Sequence, residues 1–189
     1  MVRKNFILVL RVVLLLCVVS SYARFSTMVT KSEVNRICTQ KGVNNASSCL
    51  EFLNSSSHEI AALDLSGLAK FLIKYDSNKT SDMLNQFQSL KNSTADPSAK
   101  GSYQVCSETF DLAVGCFDTA LKSLEAKDYD TLNINIGSTI STAFTCRDEL
   151  LTVKPRRPEL LSEISNVANL SSIVLTILEC FLRKEKKLC

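Results

Sequence analysis

The sequence predicts an all-α fold: a disulfide-stapled up-down four-helix bundle preceded by an N-terminal α-helical hairpin. Three observations predict it. Apolar residues recur at alternating steps of three and four over long stretches, the period of a helix with one buried stripe. Turn residues are scarce, with three Pro and five Gly in 189 residues, too few for a β-sandwich of many short strands. The cysteines stand behind an export signal, so they meet an oxidising compartment where disulfides persist.

The export signal occupies residues 1–23. Arg3 and Lys4 give it a positive start, and residues 12–19 form an apolar run with Arg11 at its edge. Ser21-Tyr22-Ala23 supplies small residues at the two positions a signal peptidase reads, which predicts cleavage after Ala23. The run is short for a membrane span, so an uncleaved anchor is the weaker reading. No other segment reads as apolar for long enough to cross a membrane. Cleavage removes Arg3, Lys4 and Arg11, which brings 22 Lys and Arg down to 19, equal to the 19 Asp and Glu. A neutral mature chain lacks the concentrated basic face that nucleic-acid binding needs. The one basic cluster, Arg183, Lys184, Lys186 and Lys187, suits a solvated helix C-terminus.

The remaining residues, 24–189, fit one domain. The hairpin is expected at about residues 26–57. There Cys38 and Cys49 flank Gly42 and Asn44-Asn45, residues that form turns. The bundle is expected at about residues 59–184. Its first helix, about 59–91, carries Leu65, Leu68, Leu72 and Tyr75, then Met83, Phe87 and Leu90 in a shifted phase. The second repeats Tyr103, Cys106, Phe110, Ala113, Phe117, Ala120 and Leu124, and the third Tyr129, Leu132, Ile136, Thr139, Ala143, Cys146 and Leu150. The fourth, about 158–184, carries Leu160, Ile164, Val167, Val174, Leu178 and Phe181. Links fall at residues 92–101, at Lys127-Asp128, and at the Pro155 to Pro158 corner, where proline stops one helix and starts the next.

Seven cysteines survive cleavage, an odd number, so at least one is unpaired or intermolecular. Cys106 and Cys146 lie on the apolar stripes of neighbouring helices, where a bridge would tie those helices from inside. Four cysteines permit three pairings, and spacing alone does not choose among them. Cys116 and Cys180 flank the stripes; Cys189 could pair with Cys180 or with another molecule.

The inventory argues against catalysis. There is one histidine, His58, with no Ser/His/Asp arrangement, no Gly-rich phosphate loop and no Cys-x-x-Cys pair, so neither a metal nor another cofactor is expected. A helical carrier of a small apolar ligand stays open as a reading from a different class.

Residues 96–103, Asp-Pro-Ser-Ala-Lys-Gly-Ser-Tyr, run into Cys106-Ser107-Glu108. Asp128-Tyr129-Asp130-Thr131-Leu132-Asn133-Ile134 follows, and then Thr145-Cys146-Arg147-Asp148. With the four-cysteine framework, these runs resemble the plant invertase/pectin methylesterase inhibitor family over nearly all of the mature region. They are most similar to its pectin methylesterase inhibitor branch. The resemblance implies bridges Cys38–Cys49 and Cys106–Cys146 and a non-catalytic inhibitor that docks on an enzyme and covers its active-site cleft. It implies a contact face on the second and third bundle helices, with Glu108, Asn133, Thr145 and Asp148 as contact residues. The implied partner is a pectin methylesterase, with acid invertase as the alternative. The implied location is the cell wall (apoplast), as a monomer or weak dimer. Some positions depart from the family pattern: Leu112 and Gly115 stand where it tends to place acids, bulky Phe144 sits beside Thr145, and Ser171-Ser172 replaces an occasional cysteine. The Pro-Lys-Phe of the invertase-inhibitor branch is absent from the link at residues 127–130. Sequons at Asn45, Asn54, Asn78, Asn92 and Asn169 are glycosylation candidates, Asn92 foremost because its segment reads as a loop and Asn169 on the polar side of its helix.

Overall fold

The computed structural model describes residues 28–183 and 189. The expected signal, its cleavage site and the lysines of the C-terminal cluster lie outside the described residues. Helix α1 (Lys31–Cys38) starts at a capping box: Thr30 Oγ1 accepts the Glu33 N–H while Glu33 accepts the Thr30 N–H. Helix α2 (Ala46–Ser55) returns beside it, and a disulfide joins Cys38 to Cys49. The turn of this hairpin runs close to the bundle. A Cβ on Gly42 would stand 2.9 Å from Thr176 Oγ1, so only glycine fits there without a shift. A one-turn helix, α3 (Ser57–Ile60), leads out.

The four long helices follow: α4 (Leu65–Ser93), α5 (Pro97–Ala126), α6 (Tyr129–Leu150) and α7 (Pro158–Ile177). Helix α4 starts later than the sequence suggests. Leu63 leaves helical geometry because its C=O accepts the Val29 N–H at 2.8 Å, and Asp64 then caps the new helix through the Gly67 N–H. Helix α5 starts earlier, at Pro97, because Asp96 caps it through Ser98 and proline at the first turn forfeits no bond. Asn92 accordingly lies in the last turn of α4 rather than in a loop.

The α5–α6 corner takes two residues. Lys127 adopts left-handed geometry at φ 56°, and Asp128 N–H donates to Ser123 C=O. Asp128 then caps α6 by accepting the Thr131 N–H; the Thr131 side chain first, and this backbone bond second, hold its carboxyl below the usual range. So tight a corner forces α5 and α6 antiparallel. At the far end α7 continues as a π-helix, Leu178–Leu182, and a disulfide joins Cys180 to Cys189. Cys116 is the free thiol among the described residues, half-buried on α5, and burial pushes its pKa up.

The core is two apolar clusters stacked along the bundle. One, next to the hairpin, holds Ile37, Leu53, Leu72, Phe117, Ile136 and Ile177. The other holds Phe87, Tyr103, Phe110, Ala143, Leu150 and Leu160, with Phe87 edge-on to Phe110 at 5.2 Å. Polar groups separate them: Asp76 and Thr80 of α4, Thr139 of α6 and Ser171 of α7, all fully buried. Tyr75, read from the sequence as a stripe residue, is exposed; Asp76 holds the inward position instead. One expectation about membranes also changes. The stretch Pro158–Leu182 is long and apolar enough to span a bilayer, but 67% of its most apolar window is buried, so that apolarity serves the core.

Candidate functional site

The Cys106–Cys146 bridge fixes the register of α5 against α6, with Cα atoms 4.6 Å apart. Ser102 Oγ within 3.4 Å of Glu149 Oε2 and of Thr152 Oγ1 agrees with that antiparallel register. Counting outward from the bridge, Glu108 stands level with Phe144 and Thr145, and Gln104 with Asp148. Gln104 donates to Glu108, which joins the two levels on α5. Glu108, Thr145 and Asp148 are all exposed. Thr145 Oγ1 donates to Ser141 C=O at 3.0 Å, and Asp148 pairs with Arg147 at 3.0 Å. The Arg147 guanidinium lies over the Phe144 ring at 4.6 Å, so the bulky side chain beside Thr145 is a stacking platform.

Asn133 is not brought to this group. It points toward the end of α7 and donates to Glu179 Oε1 at 2.6 Å. Glu179 also pairs with Arg183, which in turn reaches Asp130. The Asn133 side chain is thus spent on an internal network that ties α6 to the π-helix.

Hydroxyls on the outer face of α6 bond back to their own helix. Ser138 donates to Ile134 C=O at 2.8 Å and Ser141 to Gly137 C=O at 3.3 Å. Gly115 on α5 and Gly137 on α6 have open space where a Cβ would sit. These hydroxyls are partnered within their own helix, and the two glycines add no side chain to the face. Two large apolar side chains rise from it: Leu112 of α5, 63% exposed, and Ile134 of α6, 67% exposed. The sequence reading singled out Leu112 only as a departure and passed over Ile134. Its signal was there, because Ile134 falls off the apolar stripe set by Leu132 and Ile136. Among the described residues no cluster of His, Cys, Asp or Glu could hold a metal ion. The face offers shape and contact, with no arrangement for chemistry.

Of the sequons, Asn45 caps α2 through Ser48 N–H, and Asn54, Asn78 and Asn92 are exposed. Asn169 is half-buried and lines a groove beside α7, not an open polar side.

Comparison with known proteins agrees with the helical fold. The profile described as plant invertase/pectin methylesterase inhibitor matches residues 32–177. Pectinesterase inhibitor 1 of Arabidopsis thaliana is 28% identical over 163 residues, covering 86% of this chain and 87% of its own. The pectinesterase inhibitor of Actinidia deliciosa is 32% identical over 145 residues, covering 76% of each. A solved pectin methylesterase inhibitor from Arabidopsis, in a mutant form, superposes with a TM-score of 0.71 at 26% identity, covering 78% of this chain and 95% of that one. A second Arabidopsis inhibitor structure gives 0.60 at 26% identity, with 80% and 97% covered. These relatives are named as inhibitors, not as enzymes. A match over most of the chain and a shared helical bundle lead to one assignment: the chain belongs to the plant invertase/pectin methylesterase inhibitor family.

Proposed function

We propose that this protein is a secreted inhibitor that lays the α5–α6 face over the active-site cleft of a pectin methylesterase. The observation that carries the reading is the exposed pair Leu112 and Ile134 on a face that also presents Glu108, Thr145 and Asp148. A helical face presents no substrate-like loop, so it acts by covering the cleft, and affinity concentrates in a few central side chains. Asn133 supports the face from behind, through Glu179. The relatives above are named for pectinesterase, which favours this enzyme over acid invertase. The signal read at residues 1–23 supports secretion, and glycosylation at the exposed Asn54, Asn78 and Asn92 goes with that reading.

The test is a parallel titration of the purified protein against a pectin methylesterase and an acid invertase. Stoichiometric loss of pectin methylesterase activity alone is the expected result. Inhibition of invertase alone moves the target to the other branch, and inhibition of neither removes the inhibitor reading. Thr145→Trp places a large side chain on the face; it weakens inhibition strongly while helicity stays unchanged. A Trp variant that inhibits as well as the parent rules out this face.

A further inference from the structure

A second concave surface lies on other helices. It is a groove of about 670 Å3 between α2, α4 and α7, within the range of small-molecule sites. Its floor is apolar, with Met83, Val167, Leu170 and Ile173 buried along it. Phe52 and Tyr75 also line it, their rings edge-on at 4.8 Å. The lining carries three carboxylates, one from each helix: Glu51, Asp82 and Glu163. None of the three forms an ion pair among the described residues. The one cation of the lining, Lys79, lies 5.9 Å from the centre of the Tyr75 ring.

Charge complementarity selects the occupant. A neutral apolar molecule would strip water from unpaired carboxylates, which is unfavourable. A polyanionic glycan would be repelled. A bare metal ion would use the acids and leave the apolar floor idle. A chain of methylenes with ammonium groups along it uses both, because an ammonium is all donor and a carboxylate all acceptor. Lys79 already sets an alkylammonium against the Tyr75 ring. From Glu163 to Ile173 the groove follows ten residues of α7, about 15 Å of helix. We infer that this groove binds an aliphatic polyamine, with its methylenes on Met83 and Val167 and its ammonium groups on Glu51, Asp82 and Glu163.

The experiment is calorimetric titration of the folded protein with spermidine, with n-butylamine and Mg2+ as companion probes. Spermidine gives saturable single-site binding, and the companions bind far more weakly. The double variant Asp82→Asn, Glu163→Gln weakens spermidine binding by about tenfold or more, the loss expected for two charge-assisted bonds. Both side chains are exposed, so the fold survives, as circular dichroism would verify. The control pair Asp111→Asn, Asp118→Asn, exposed on α5, changes binding less than about twofold. Absence of saturable binding, equal binding of Mg2+, or an equal loss in the control pair overturns the proposal. So does a glycan found on Asn169 in protein secreted by plant cells, because Asn169 lines the groove and its sugar would fill it.

Discussion

Replacing Asp76 by Asn changes how the stability of this bundle responds to pH. Asp76 is fully buried, and Ser171 Oγ lies 2.8 Å from its Oδ2. Ser171 Oγ is in turn 2.8 Å from Thr139 Oγ1, and Thr139 Oγ1 is 2.7 Å from the Ile136 C=O. Ser171 donates to Asp76 Oδ2, Thr139 donates to the Ile136 C=O, and Thr139 and Ser171 share the bond between their hydroxyls. Burial pushes the Asp76 pKa well above the usual carboxylate value, against a smaller downward pull from the hydrogen bond that Ser171 donates. The native state therefore holds a proton that the unfolded chain releases near pH 4. An acid with a raised folded pKa stabilises fully below its unfolded pKa. That contribution is lost as pH rises toward the folded pKa, at about 1.4 kcal/mol per pH unit.

Asn keeps the oxygen that bonds Ser171 and adds an amide whose neighbour one turn on, Thr80 Oγ1, has no partner in the native structure. The assay is urea unfolding of parent and Asp76→Asn by far-ultraviolet circular dichroism, at pH values stepped upward from the ordinary carboxylate range. The variant gains on the parent with each step upward in pH. Carboxyls held low, such as Asp128 by Thr131 and Glu125 by Lys70, cancel in the difference because both proteins carry them. Two stability curves that run parallel would falsify the protonated state, whatever their offset. An offset alone reports only how well the amide packs.

Three further outcomes follow from the geometry. Removing the Cys106–Cys146 bridge by a double Ala substitution frees a loop of 40 residues and lowers stability by about 4 kcal/mol, read from urea midpoints. Lys127→Gly relieves the one positive-φ residue outside glycine among the described residues and raises stability by about 0.5–1 kcal/mol in the same assay. Leu112→Ser with Ile134→Ser removes exposed apolar surface; inhibition of pectin methylesterase falls about tenfold or more while the unfolding midpoint moves little.

The helices were legible because their apolar stripes repeat for many turns, and α5 and α6 follow the expected phase almost residue by residue. The phase shift read in the first bundle helix has a physical source. The buried row runs Leu68, Leu72, Asp76, Thr80, Met83 and Phe87, and its two polar members look like a gap when only apolar residues are counted. Tyr75 then fills the apparent stripe by default. The place of Asn133 was illegible for a different reason. Its partner Glu179 lies where α7 widens into a π-helix, and no residue type marks that change of pitch. Helix periodicity gives the buried side of α6 but does not rank its exposed residues, so Thr145 and Asp148 came from motif and Ile134 was passed over.

The polar layer and the disulfide divide the task of holding register. Two apolar cores stacked end to end would tolerate a helix sliding by a turn, since one leucine-sized side chain replaces another at modest cost. The chain from Asp76 through Ser171 and Thr139 tolerates no such slide, because each shift would leave a buried polar group unpaired. It keys α4, α7 and α6 to one another but includes no group from α5. Helix α5 is keyed instead by the covalent bridge to α6. The two helices of the proposed contact face are therefore the pair whose register is set by a bond, and the level of Glu108 against Thr145 is fixed before any partner arrives. An inhibitor that works by covering a cleft gains from that preorganisation, because little order remains to be imposed on its backbone when it docks.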